Sequence, residues 1–183
     1  SGGIYPGAPT YTIWGESNTY YAKDANGNIV SSGPDIGALI NSIKTGLPAY
    51  GGEIHIVAGV YNQYTTILWG LSEENTTISG EGYKTKPAIF LKFVGGSKFE
   101  NIAIDKMGYG FYAVTPSVPN LISQCIFETV SLFQIVKSGL VLQDSYDCRL
   151  SNVYVLDLAG SYLSSEAGIK TIHSYGGDVI DSC

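Results

Sequence analysis

The sequence predicts an all-β chain in which short parallel strands stack as a solenoid, with a hairpin and one short helix capping the N-terminal end. Three observations predict it. A small motif (apolar, any, polar, apolar, any, apolar) recurs down the chain, as in Phe99-Glu100-Asn101-Ile102-Ala103-Ile104 and Leu150-Ser151-Asn152-Val153-Tyr154-Val155. Strand-like segments precede the copies, such as Ile89-Phe90-Leu91 before Asn101 and Leu140-Val141-Leu142 before Asn152. The composition suits a turn-rich chain: 23 Gly, 14 Tyr and only 14% charged residues, against about 25% in ordinary globular proteins.

In chain order, residues 1–19 carry Pro6, Pro9 and several glycines and read as an extended arm. Its aromatics Tyr5, Tyr11 and Trp14 suit an arm docked on the domain or on a partner. Thr19–Lys23 and Asn28–Val30 flank Asp24-Ala25-Asn26-Gly27. Asn-Gly between β-type runs signals a hairpin, because both residues accept positive φ. Asp35 is then a helix N-cap, and Ile36, Leu39, Ile40 and Ile43 form one apolar helical face. Gly46 and Pro48 stop the helix. After Gly51-Gly52, the run Glu53-Ile54-His55-Ile56-Val57 alternates as a strand, and Gly59 allows a bend before Val60-Tyr61. Thr65–Trp69 is a further strand.

Beyond residue 70 the repeat takes over. A third copy is assigned to Ile122-Ser123-Gln124-Cys125-Ile126-Phe127, a weaker one to Asn75, Thr76 and Ile78, and a last one begins at Ile180-Asp181-Ser182-Cys183. The polar positions Asn75, Asn101, Gln124, Asn152 and Ser182 are about 23 to 30 residues apart, a solenoid-like period. A unit this short cannot bury its inner face alone, so units must stack. In this register Ile102, Ile104, Cys125, Phe127, Val153 and Val155 point inward, and Asn101 stacks on Gln124. A β-sandwich is the competing fold, and a βαβ fragment competes for residues 34–61. Neither accounts for a polar position that recurs over several units.

The order Asp35, apolar helix, Gly51-Gly52, alternating strand, Gly59-x-Tyr61 resembles the entry cap of the pectate-lyase-like superfamily. The resemblance implies a right-handed parallel β-helix over residues 20–183, behind the 1–19 arm. The stretch from Tyr20 to Val30, with Asp35 and Gly51-Gly52, is also loosely similar to viral tail-spike and fibre β-helices. That likeness implies a structural adhesin on a virion or in the extracellular space, recognising glycans or a host surface. The alternatives are the N-terminal part of a secreted polysaccharide lyase or glycoside hydrolase, and a filament or surface-layer subunit without a ligand. The motif breaks off at Cys183, so the expectation is an incomplete β-helix that continues or is sealed by a partner. Homo-oligomers or other virion or surface subunits would then meet the 1–19 arm and the open C-terminal coil.

The net charge of −6 and a single Arg, Arg149, argue against nucleic acid, whose binding rests on Lys and Arg contacts to phosphate. No apolar run approaches the roughly 18 residues of a membrane span. Cys125, Cys148 and Cys183 lack metal-ligand spacing and read as small buried hydrophobes, with one disulfide plus a thiol as the alternative. Asn75-Thr76-Thr77 is a glycosylation sequon.

Catalytic strings of the superfamily are absent: no Asn-Thr-Asp, Asp-Asp, Gly-His-Gly or Arg-x-Lys occurs. No catalytic residue can be carried over, and this segment is expected to lack catalytic power. The repeat register places Asp105 beside Glu128, with Asp157 extending the row. Two adjacent carboxyls suit a retaining glycosidase or a calcium ion, and equally a solvated outer face. No other metal or cofactor is implied. His55 and His173 read as surface or packing residues rather than general bases. Sugars stack on flat aromatic faces, so Tyr109, Tyr112, Tyr146, Tyr154, Tyr162 and Tyr175 are the candidate carbohydrate contacts.

Overall fold

A computed structural model describes residues 8–49, 51–69, 76–80, 89–91, 96–105, 109–113, 122–135, 138–156, 169–172 and 179–181. The expectations for Asn75, Asp157, Tyr162, His173, Tyr175, Ser182 and Cys183 lie outside these residues.

The chain opens with β1 (Tyr11–Glu16), β2 (Thr19–Asp24) and β3 (Ile29–Gly33), then α1 (Ile36–Ile43) and a 3-10 turn at Lys44–Gly46. Next come β4 (Glu53–Ile56), β5 (Ile67–Trp69), β6 (Thr77–Gly80), β7 (Ile89–Leu91), β8 (Lys98–Asp105) and β9 (Phe111–Ala113). They are followed by β10 (Ile122–Ser123), β11 (Ile126–Phe133), β12 (Leu140–Gln143), β13 (Ser145–Tyr146), β14 (Arg149–Leu156), β15 (Ile169–Ile172) and β16 (Val179–Asp181). Among the described residues the fold is all-β with one short helix. A mixed nine-stranded sheet runs β16-β14-β11-β8-β6-β4-β1-β2-β3, a five-stranded sheet runs β15-β12-β9-β7-β5, and β10 pairs with β13. From β4 to β9 the chain alternates between the two larger sheets, and every pairing from β4 onward is parallel.

The N-terminal arm is corrected over residues 11–19. Tyr11–Glu16 is a packed strand, antiparallel to β2 and parallel to β4, with Ile13 wholly buried. Ser17 and Asn18 both have positive φ, +49° and +64°, and make a two-residue turn to β2. The Pro and Gly content upstream masked this hairpin. The expected second hairpin is present: Gly27 is left-handed, and Asp24 accepts from the backbone N–H of Asn26 and Asn28. Those bonds hold the Asp24 carboxyl below the usual carboxylate range.

Helix α1 forms as its apolar spacing predicts, and Ile36, Leu39, Ile40 and Ile43 are buried. It packs on β2, β3 and β5. Asp35 caps it by accepting from Gly37 N–H at 3.0 Å and also accepts from Tyr64 N–H at 3.0 Å. Burial of this carboxyl opposes ionisation. Hydrogen bonds from the Thr65 side chain and from the Tyr64, Thr65 and Gly37 backbone outweigh it, so Asp35 lies below its ordinary pKa. Gly37 is required here because a Cβ would meet the Thr65 carbonyl oxygen. Asn41 closes the edge of the second sheet, donating to Thr66 O at 2.9 Å and accepting from Leu68 N–H at 3.1 Å.

Inward residues stack from strand to strand. One column runs Ile54, Ile78, Phe99, Phe127 and Leu150, all buried, and continues in register to Ile180, which is exposed on β16. A second runs Ile102, Val130, Val153, and a third runs Ile104, Leu132, Val155. The six residues expected inside are buried or, for Val155, partly buried against the core. Small residues line the turn before these strands: Thr76, Ser97, Cys125 and Cys148 are buried, and the Trp69 indole N–H donates to Ser97 Oγ at 3.2 Å. Cys125 and Cys148 are buried thiols.

The repeat register needs a correction. Asn101 lies in line with Thr129 and Asn152, not with Gln124, because Phe99 pairs with Phe127 and Phe127 with Leu150. The true middle copy is Phe127-Glu128-Thr129-Val130-Ser131-Leu132. Two bends flank the first three residues of each long strand, both built on left-handed residues. Gly96, Gln124 and Asp147 form one bend, and Asn101, Thr129 and Asn152 the other. Around β11 both bends read as polar followed by apolar, Gln124-Cys125 and Thr129-Val130, so an amide at 124 mimicked the motif while a threonine held the real position. Thr129 has φ +53°, which a β-branched residue rarely adopts. Thr129→Asn, matching its neighbours above and below, is expected to raise stability by about 1 kcal/mol. That is about 2–4 °C in melting temperature for a chain of this size. A lower melting temperature would contradict the left-handed assignment.

Candidate functional site

The corrected register decides the fate of the candidate carboxylates. Asp105 lies opposite Phe133, and Glu128 lies between Glu100 and Ser151, so Asp105 and Glu128 are not neighbours. The adjacent pair is Glu100 and Glu128. Lys98 bridges it, with its ammonium 2.5 Å from Glu100 and 2.8 Å from Glu128. Hydrogen bonding and charge attraction from Lys98, with Arg149 nearby, hold the Glu128 carboxyl below its ordinary range. The same bonds raise the Lys98 pKa. A general acid needs a raised pKa, so the lowered Glu128 carboxyl is suited to holding the Lys98 bridge rather than to protonating a leaving group. Among the described residues no group of three or more His, Cys, Asp and Glu side chains is arranged to hold a metal ion.

His55 belongs to a neighbouring outer chain of contacts. The Ser79 hydroxyl donates to Glu53 at 2.6 Å and lies 2.9 Å from His55 Nδ1. With its proton spent on Glu53, the hydroxyl accepts from His55. That direction is opposite to the one that activates a serine nucleophile. The cluster joins the outer faces of β4 and β6.

The described tyrosines do not form one groove. Tyr109 and Tyr112 are together, ring centroids 4.2 Å apart, at β9 of the second sheet. Tyr146 lies on β13 and Tyr154 on β14, both exposed and on different sheets.

A better-built aromatic surface was missed. Trp14 and Tyr21 are cross-strand partners on β1 and β2, so they share the outer face opposite buried Ile13 and Ala22. Their rings stack with centroids 5.5 Å apart and planes 24° from parallel. Both are half-buried. The Lys23 ammonium lies 5.7 Å from the Trp14 ring, and the Trp14 indole N–H donates to Glu16 at 3.3 Å. The stacked aromatic pair thus carries the Lys23 ammonium over the Trp14 ring and is bordered by the Glu16 carboxylate and, on the paired strands, by Thr12, Thr19 and Ser32. Flat rings take the apolar face of a sugar while the polar fringe meets its hydroxyls. The available signal was alternation: Thr12, Trp14 and Glu16 lie on one face once Tyr11–Glu16 is read as a strand.

At the hairpin tip lies a cleft of about 360 Å³, lined by Gly15, Glu16, Ser17, Asn18 and Tyr20 on one side and residues 58–62 on the other. Tyr20 and Tyr61 pack against each other there with centroids 5.0 Å apart. Tyr61 donates to Val57 O at 2.6 Å, and Tyr20 Oη accepts from Asn62 N–H at 2.6 Å.

No protein-family model, curated protein or solved structure matches the chain. No helix among the described residues is long and apolar enough to cross a membrane.

Proposed function

We propose that the chain is a right-handed parallel β-helix domain of an extracellular or virion-surface structure, of the fibre or spike kind, and that it recognises glycans. The β-helix reading is supported by the alternation of the chain between two sheets whose pairings from β4 onward are parallel, and by the apolar column that runs across six strands of the larger one. The glycan reading rests on the stacked, half-buried Trp14–Tyr21 pair, with Glu16 bonded to the indole and Lys23 over the Trp14 ring. The scaffold supplies rigidity, since a ring held by cross-strand packing loses little freedom when a sugar docks.

The test is a glycan array probed with the native chain and with Trp14→Ala. Binding to a subset of glycans is expected, weakened at least about tenfold by the substitution, equivalent to about 1.4 kcal/mol. Equal binding by the variant would move the site elsewhere on the domain. No binding by either would favour a purely structural subunit.

A further inference from the structure

The Trp14–Tyr21 platform and the cleft at the hairpin tip share Glu16, which accepts from Trp14 and also lines the cleft. We infer that the cleft is a second subsite, so that the ligand is a neutral oligosaccharide of at least two units, one on the rings and the next in the cleft. The inference rests on the glycan reading of the platform and extends it to chain length and charge.

Size, polarity and rigidity carry it. About 360 Å³ falls at the lower end of small-molecule sites, about 300–1,000 Å³. Polar side chains of Glu16, Ser17, Asn18 and Asn62 line the cleft, a mixture of donors and acceptors that matches vicinal hydroxyls. Among the described residues lining it, Glu16 is the one with an acidic side chain, and a carboxylate there repels an acidic sugar. Both walls are fixed in advance. Ser17 and Asn18 are set by the left-handed turn, and Asn62 is tied by its N–H to Tyr20 Oη and by its carbonyl to Ile36 N–H. A preformed site of this kind loses little affinity to ordering.

Calorimetry would use the full chain with the best-binding neutral hexose, as its methyl glycoside, and with the matching di- and trisaccharides. The disaccharide is expected to bind at least about tenfold more tightly than the monosaccharide, with little further gain for the trisaccharide. Asn18→Gly combined with Asn62→Ala removes two side chains from the cleft while glycine keeps the left-handed turn. In that variant the length preference should collapse towards unity with monosaccharide affinity retained. Equal affinity for mono- and disaccharide, or a preference that survives the double variant, would overturn the cleft alone. No binding by any sugar would overturn the platform, and the cleft with it.

Discussion

Phe99→Ala is expected to cost about 3–5 kcal/mol, the range for removing a fully buried aromatic ring. Phe99 is 0% exposed. Its ring stacks on Phe127 at 5.3 Å, lies 5.3 Å from Phe111 and meets Trp69 edge-on at 6.1 Å. Phe111 in turn lies 5.1 Å from Phe127. These rings come from β5 and β9 of one sheet and β8 and β11 of the other, so one side chain couples the two sheets across the interior. The neighbours are anchored on parallel strands and cannot collapse into the space, which keeps the cost near the top of the range. Phe133, half-buried on the outer face of β11, is the matched control. Chemical denaturation should show a small loss for Phe133→Ala beside a large one for Phe99→Ala. Similar losses at both sites would mean that the inward column is misassigned.

Ile40→Ala is expected to cost about 2–5 kcal/mol. Ile40 is 0% exposed, at the centre of the α1 face that covers β2, β3 and β5. The helix also covers the end of the second sheet, where Asn41 supplies the bonds that a further strand would make. A helix of eight residues has little stability of its own, so the loss should appear in the global melt rather than as local fraying. A cost below about 0.5 kcal/mol, the level of a surface change, would show that α1 does not cap the fold.

Where local chemistry is unambiguous, the sequence was legible. Asn26-Gly27 marked a hairpin, Asp35 with four apolar residues at helical spacing marked α1, and the runs at 67–69, 89–91 and 140–142 marked strands. The direction of Ile102, Ile104, Val153 and Val155 followed from alternation, because the period of two fixes the face. The register did not follow. Gln124 and Thr129 flank one short segment with the same polar-then-apolar signature, and only inter-strand hydrogen bonding tells which one sits under Asn101. A slip of five residues then paired Asp105 with Glu128 and hid the bridge from Lys98 to Glu100 and Glu128. The Trp14–Tyr21 site was illegible for another reason. Cross-strand pairs arise from a hairpin, and the Ser17-Asn18 turn lacks the glycine that usually announces one.

Trp14 emission during titration with the oligosaccharides selected on the array tests the central claim most directly. Trp69, the other tryptophan of the chain, is 1% exposed in the core and gives a constant background, whereas Trp14 is half-exposed on the outer face of the hairpin. If glycans dock on the Trp14–Tyr21 surface, its emission should shift to shorter wavelength in a saturable way. The shift should follow the calorimetric binding curve and vanish in Trp14→Phe. Saturable glycan binding with no change in tryptophan emission would contradict the account and place recognition on another face of the domain.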